Sequence, residues 1–251
     1  MATSRSFDGL RAVSCGYAGF SITGDRNTVQ NSSASNNAAG IKIGNGSDFG
    51  KYTGNDNEVT ANTISGSAAA SFDFVVDGGA IEIFNGNRNN VHHNIALDDN
   101  SFSELGRSTG TADGNTYRYN LVRSTCGSLC AQAVVCHAQC PSSTVIRGNV
   151  LVGVKISLWI NGSGWTEKEK VFTGPVNVTP SPTSRRVPSV SFVTTGTDFH
   201  LTANSAAIDL TTSSSSSLDL DDRPVPQDGN CNGTATATPE PTNSTRPTAE
   251  N

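Results

Sequence analysis

Lys42, Glu82, Glu104 and His137 each stand at a fixed distance ahead of an asparagine that recurs along the chain, and together they could do acid–base chemistry. Glu82 lies 12 residues before Asn94 and His137 lies 12 before Asn149; Lys42 lies 20 before Asn62 and Glu104 16 before Asn120. If the stretches "NGSDFGKYTG" and "RSTGTADG" are loops of 8 and 4 extra residues, all four fall in one column, about one strand spacing apart. Two carboxylates at that separation repel. The repulsion raises one pKa, recruits a cation such as Ca²⁺, or leaves one residue protonated as a general acid. Arg107 flanks the pair, and Asp77 leads into the strand that carries Glu82. The plain structural reading is a cross-strand charge ladder on a face that meets water.

The column depends on a repeat. "NEVTANTIS", "NNVHHNIAL", "NTYRYNLVR" and "TVIRGNVLV" share the core apolar-x-x-Asn-x-apolar, and "NTVQNSSAS" is a weaker version. Asn62, Asn94, Asn120 and Asn149 are separated by 32, 26 and 29 residues, the period of a stacked coil with loops of variable length. Asparagines at one corner of successive coils can bond one another in a ladder, which satisfies a buried polar corner. Short alternating strands precede the corner, in "GIKIG" at 40–44 and "AIEIF" at 80–84; their isoleucines point in and the residue between them points out.

This pattern resembles right-handed parallel β-helix proteins, the group that contains pectate lyases, alginate and chondroitin lyases and polygalacturonases, over roughly residues 15–160. The resemblance implies an all-β right-handed parallel β-helix over 1–172 and an anionic polysaccharide lying along an outward face. In the lyases of that group a Ca²⁺ or a basic residue neutralises the uronate carboxylate and a Lys or Arg removes the α proton. By that analogy Lys42 and Arg107 are candidate bases, Glu82 and Glu104 candidate catalytic carboxylates, and Asp77, Glu82 and Glu104 candidate Ca²⁺ ligands. The hydrolase segments NTD, GHG and RxK are absent, Asp98-Asp99 is a bare DD pair, and the vWiDH signature of pectate lyases is missing. No motif of the group therefore transfers residue by residue. A non-catalytic β-helix that binds glycan or serves as a surface module is the second reading.

"DFHLTANSAAIDL" at 198–210 resembles the closing segment of secreted bacterial-type β-helix proteins. It implies a C-terminal cap over 173–230 that hides the last coil, with a crossing loop at 173–188 and a disordered Thr/Pro-rich tail over 231–251. His200 then belongs to the cap.

Composition agrees with these expectations. Only 16% of residues are charged and 6% aromatic, which suits a turn-rich β protein better than a helical bundle. A net charge of -5 offers no overall basic footprint for nucleic acid, and no apolar run approaches the roughly 20 residues of a membrane span. Cys126, Cys130, Cys136 and Cys140 form C-x3-C-x5-C-x3-C, read as disulfides of a secreted or cell-surface protein. Their pairing stays open; Cys15 and Cys231 lie too far apart in coil order to be matched. The opening MATSRSFDGL has no apolar core of a signal peptide. Six Asn-x-Ser/Thr sequons, at Asn31, Asn45, Asn161, Asn177, Asn232 and Asn243, carry little weight in so Asn-rich a chain. His92 and His93 are expected in packing or corner hydrogen bonds, and Trp159 and Trp165 either in the core or stacked on sugar rings. A monomer is expected.

Overall fold

Tripeptides with one apolar residue between two polar ones, such as Glu58–Thr60 and Thr63–Ser65, are too short to be stable alone and must stack. The structure, a computed structural model, describes residues 4–44, 54–71, 75, 78–106, 111–125, 132–136, 142–153, 155–160, 162–194 and 198–208. It is all-β: among the described residues there is no helix, and the strands stack in parallel into three sheets. Sheet A holds seven strands from Ser6–Asp8 to Thr166–Lys168, sheet B eight from Arg11–Val13 to Arg185–Arg186, and sheet C five from Ala18–Ile22 to Gln132–Cys136. The first five coils pass through A, B and C in turn and the later ones add strands to A and B, an arrangement consistent with a solenoid of the β-helix kind.

The expected ladder is present. Asn62 Nδ2 donates to Asn94 Oδ1, Asn94 to Asn120 and Asn120 to Asn149, each at 3.0 Å, and all four residues are buried. The second proton of each amide goes to a carbonyl one coil back, Val29, Val59, Val91 and Tyr117 in order. Ser32 holds the position below Asn62, and Lys170 the position above Asn149. There the ladder ends in a fully buried ion pair, Lys170 Nζ to Glu167 Oε2 at 2.7 Å. A second ladder runs through Asn27, Asn57, Asn89 and Asn115 at the corner between sheets C and A. These are the leading asparagines of the same repeats, whose stacking the repeat reading did not anticipate.

The A-to-B corner is always two residues, as in 61–62, 93–94 and 119–120, whereas the links on either side of sheet C run from three residues to thirteen. Uniform corners belong to the scaffold and variable links to the places where function is carried. Sheet C is therefore the face to search.

Residues 187–208 have a place the sequence did not suggest. Along the outer face of sheet B, polar Ser33 and Thr63 give way in later coils to Ile95, Leu121, Val150 and Val171. The antiparallel pair Phe192–Thr194 and Asp198–Leu201 covers this apolar strip, with Phe199, Leu201, Ala207 and Ile208 in the same cluster. The segment thus packs on the flank of sheet B, because four outward apolar residues there would otherwise meet water. His200 lies in this cover and pairs with Asp198.

Candidate functional site

The strand Gly79–Phe84 places Ile81 and Ile83 in the core and turns Glu82 to the other side. Register then fixes the column: Ser21 opposite Lys42, Lys42 opposite Glu82, Glu82 opposite Glu104. The expected alignment of Lys42, Glu82 and Glu104 is what the backbone pairing shows. The next member is not His137. Val135 stands opposite Glu104, because the link after that strand is two residues longer than the insertion-free coil assumed; His137 itself lies outside the described residues. Asp77 and Arg107 also lie outside them.

Glu82 turns away from the core and still keeps only 1% of its surface exposed. Its Oε2 meets Lys42 Nζ at 3.0 Å and its Oε1 accepts the Gly79 N–H at 3.0 Å. The fold-back to Gly79 needs a residue without a side chain. A Cβ on Gly79 would lie 3.3 Å from Glu82 Cγ and 3.0 Å from Ser101 Oγ, and the preceding Gly78 has φ +94 with no space for a Cβ against the Ala38 carbonyl. Burial pushes the Glu82 carboxyl up, Lys42 pulls it down and Glu104 pushes it up again, leaving it at about 7. Lys42 sits 4.8 Å from the Tyr17 ring centroid and 5.6 Å from that of Phe84, a cation between two half-buried aromatic faces.

One further residue belongs to this column. The bonds Trp159 N–H to Val134 O and Ala133 N–H to Ile156 O, at 2.9 and 3.0 Å, set Trp159 opposite Val135. Leu158 and Ile160 are buried and Trp159, between them, is half-exposed. By register the file on sheet C runs through positions 42, 82, 104, 135 and 159, with the side chains of Lys42, Glu82, Glu104 and Trp159 on its outward side. The sequence signal was the alternation in "SLWI", but the coil that contains it closes on Lys170 and so lacks the asparagine that sets phase. Trp165, by contrast, packs against the core and donates Nε1–H to Gly162 O at 3.2 Å.

Asp77, the third residue expected to hold Ca²⁺, lies outside the described residues. Both Glu82 oxygens are engaged by donors, and among the described residues no three His, Cys, Asp or Glu side chains converge to hold a metal ion. His92 and His93 make the corner bonds expected of them: His92 Nε2 to Glu58 Oε1 at 2.8 Å, and the two Nδ1 atoms 2.7 Å apart. Burial holds both below the usual range, His93 at about 3, so both rings are neutral. Cys15 is a free thiol; the side chains of Cys126, Cys130, Cys136 and Cys140, and Cys231, lie outside the described residues. Among the described residues no helix is long and apolar enough to cross a membrane.

A scan against protein-family models finds no match for the chain, and a search of curated proteins finds none.

Proposed function

We propose that the protein is a polysaccharide-active right-handed parallel β-helix that cleaves a uronate-containing glycan by β-elimination along the outward column of sheet C. The observation that carries this reading is Glu82: a buried carboxyl held at about 7 between an ammonium and a second carboxylate, in file with an aromatic residue two coils beyond Glu104. A carboxyl near 7 is half ionised at neutral pH and can both take and give a proton. Trp159 supplies a face on which a sugar ring can stack.

The roles divide by charge. Lys42, an ammonium in its ion pair, is poorly suited to be the base. It neutralises the substrate carboxylate and so acidifies the proton on the adjacent ring carbon. As Lys42 turns to the substrate, Glu82 Oε2 is released to take that proton. The electron pair of the C–H bond becomes the new C=C bond, and the glycosidic C–O bond breaks with its electrons on the leaving oxygen, which takes a proton from water. Glu104 sits one coil on and sustains the raised pKa of Glu82. Arg107 is the alternative base, and Glu104 with Asp77 the alternative Ca²⁺ ligands.

A non-catalytic glycan-binding module is favoured by the 1% exposure of Glu82: the Lys42–Glu82 pair is then a structural clip, and the column holds sugar without cutting it. The test is ultraviolet absorbance from unsaturated uronate ends on pectate, alginate and chondroitin sulfate, with Ca²⁺ and with chelator. A rise on one polymer supports the lyase and its cation dependence; a flat trace with retained binding supports the module. Secretion and disulfides among Cys126–Cys140 belong to the same proposal, as does a monomeric state.

A further inference from the structure

Charge is distributed unevenly along this acidic chain. Residues 111–194 contain eight Arg and Lys against three Asp and Glu, a net of +5, whereas residues 1–110 carry -4 and residues 195–251 carry -6. The fold gathers part of that excess into one file. On sheet A the middle residues Tyr117, Ile146 and Glu167 are buried, so their neighbours Arg118, Arg147 and Lys168 point outward, and pairing sets these three opposite one another in consecutive coils. They stand about 4.8 Å apart. One coil further, round the two-residue corner, the strand Arg185–Arg186 adds two exposed guanidinium groups.

Arg147 Nε is paired with Glu169 at 2.5 Å. Arg118 donates through Nη2 to the neutral Asn90 Oδ1 at 2.7 Å, and its Nε is buried with no partner in the structure. Among the described residues, Glu169 is the one acidic side chain within the corner that follows this file. We infer that Arg118, Arg147, Lys168 and Arg185 form a second binding track, separate from the sheet C column, for an anionic polysaccharide that runs along the stack with its charges met coil by coil. Three cations in file at strand spacing, with Arg185 round the corner beyond them, suit a chain with one charge on each successive sugar. It does not suit nucleic acid, since the neighbouring rings Tyr119 and His93 are buried and present no platform for bases.

The track shares its polymer class with the function proposed above but none of that chemistry, so the two can fail separately. The test is retention on immobilised polygalacturonate and chondroitin sulfate across a salt series, with the Arg118→Ala/Lys168→Ala/Arg185→Ala variant beside wild type, and Arg26→Ala as a control for loss of an exposed cation elsewhere. Folding is checked by circular dichroism. Wild type should bind at low salt, and the triple variant should bind at least about tenfold more weakly with a shallower salt dependence. Arg26→Ala should bind like wild type. Equal retention of the triple variant, equal loss in Arg26→Ala, no retention of wild type on either polymer, or tighter binding to single-stranded DNA than to both glycans would overturn the inference.

Discussion

Asp99 and Glu82 are two carboxyls that water hardly reaches, and each is pushed up to about 7 by burial. Asp99 accepts the Ser67 N–H at 2.7 Å through one oxygen, while the other has no partner in the structure. Two coils below, Asn37 occupies the equivalent corner and accepts the Cys15 N–H at 2.8 Å. An acid whose folded pKa lies above its unfolded value adds most to stability when both states are protonated, below about 4, and loses that contribution as pH rises toward 7. Asp99→Asn keeps the acceptor and removes the titration. It is expected to raise stability at pH 7 by an amount on the order of 1–3 kcal/mol and to flatten the fall between pH 4 and 7, measured by urea unfolding across that range. An unchanged pH slope in the variant would show that Asp99 is ionised at no cost in the fold. Glu82 was legible in sequence as an outward position but not as a buried one, because alternation reports which side a residue faces and not what covers that side.

At the scale of the element, the asparagine ladder does the positioning. Asn120 accepts from the Asn94 N–H and Nδ2 and donates to Val91 O and Asn149 Oδ1. Asn120→Ala is expected to cost roughly 2–4 kcal/mol, since it takes the partner from two buried donors, the Asn94 N–H and Nδ2, and from the Val91 carbonyl; a loss under about 0.5 kcal/mol in denaturant unfolding would mean the corner relaxes without its ladder. Gly79→Ala should be milder for folding and harsher for the site, because its Cβ would press on Glu82 Cγ and Ser101 Oγ. Its expected signature is lost turnover with a modest fall in stability, and unchanged turnover would detach Gly79 from the site. The ladder also explains what could be read ahead of the structure. It set the phase that aligned Lys42, Glu82 and Glu104, and where a link grew by two residues, or Lys170 took the ladder position, that phase was lost and His137 was placed where Val135 stands, while Trp159 went unplaced.

At the scale of the whole molecule, three outer faces carry three different surfaces. Sheet C bears the Lys42–Trp159 column, sheet A the basic file, and sheet B an apolar strip under residues 187–208. Phe199 is 1% exposed in that cover and meets Phe192 edge-on with ring centroids 5.6 Å apart. Phe199→Ala should cost about 3 kcal/mol and bring self-association as sheet B is uncovered, checked by unfolding and light scattering; a variant that stays monomeric at wild-type stability would show that the cover is dispensable. The cover was legible as a capping phrase but not in its location, because the residues that call for it, Ile95, Leu121, Val150 and Val171, are spread over four coils and meet only when those coils stack. Cleavage of a uronate polymer along the sheet C column is tested most directly by the appearance of unsaturated uronate ends with wild type and Glu82→Gln/Glu104→Gln side by side. Product is expected from wild type and none from a folded double variant that still binds polymer; wild-type rates in the double variant would remove the column from the reaction.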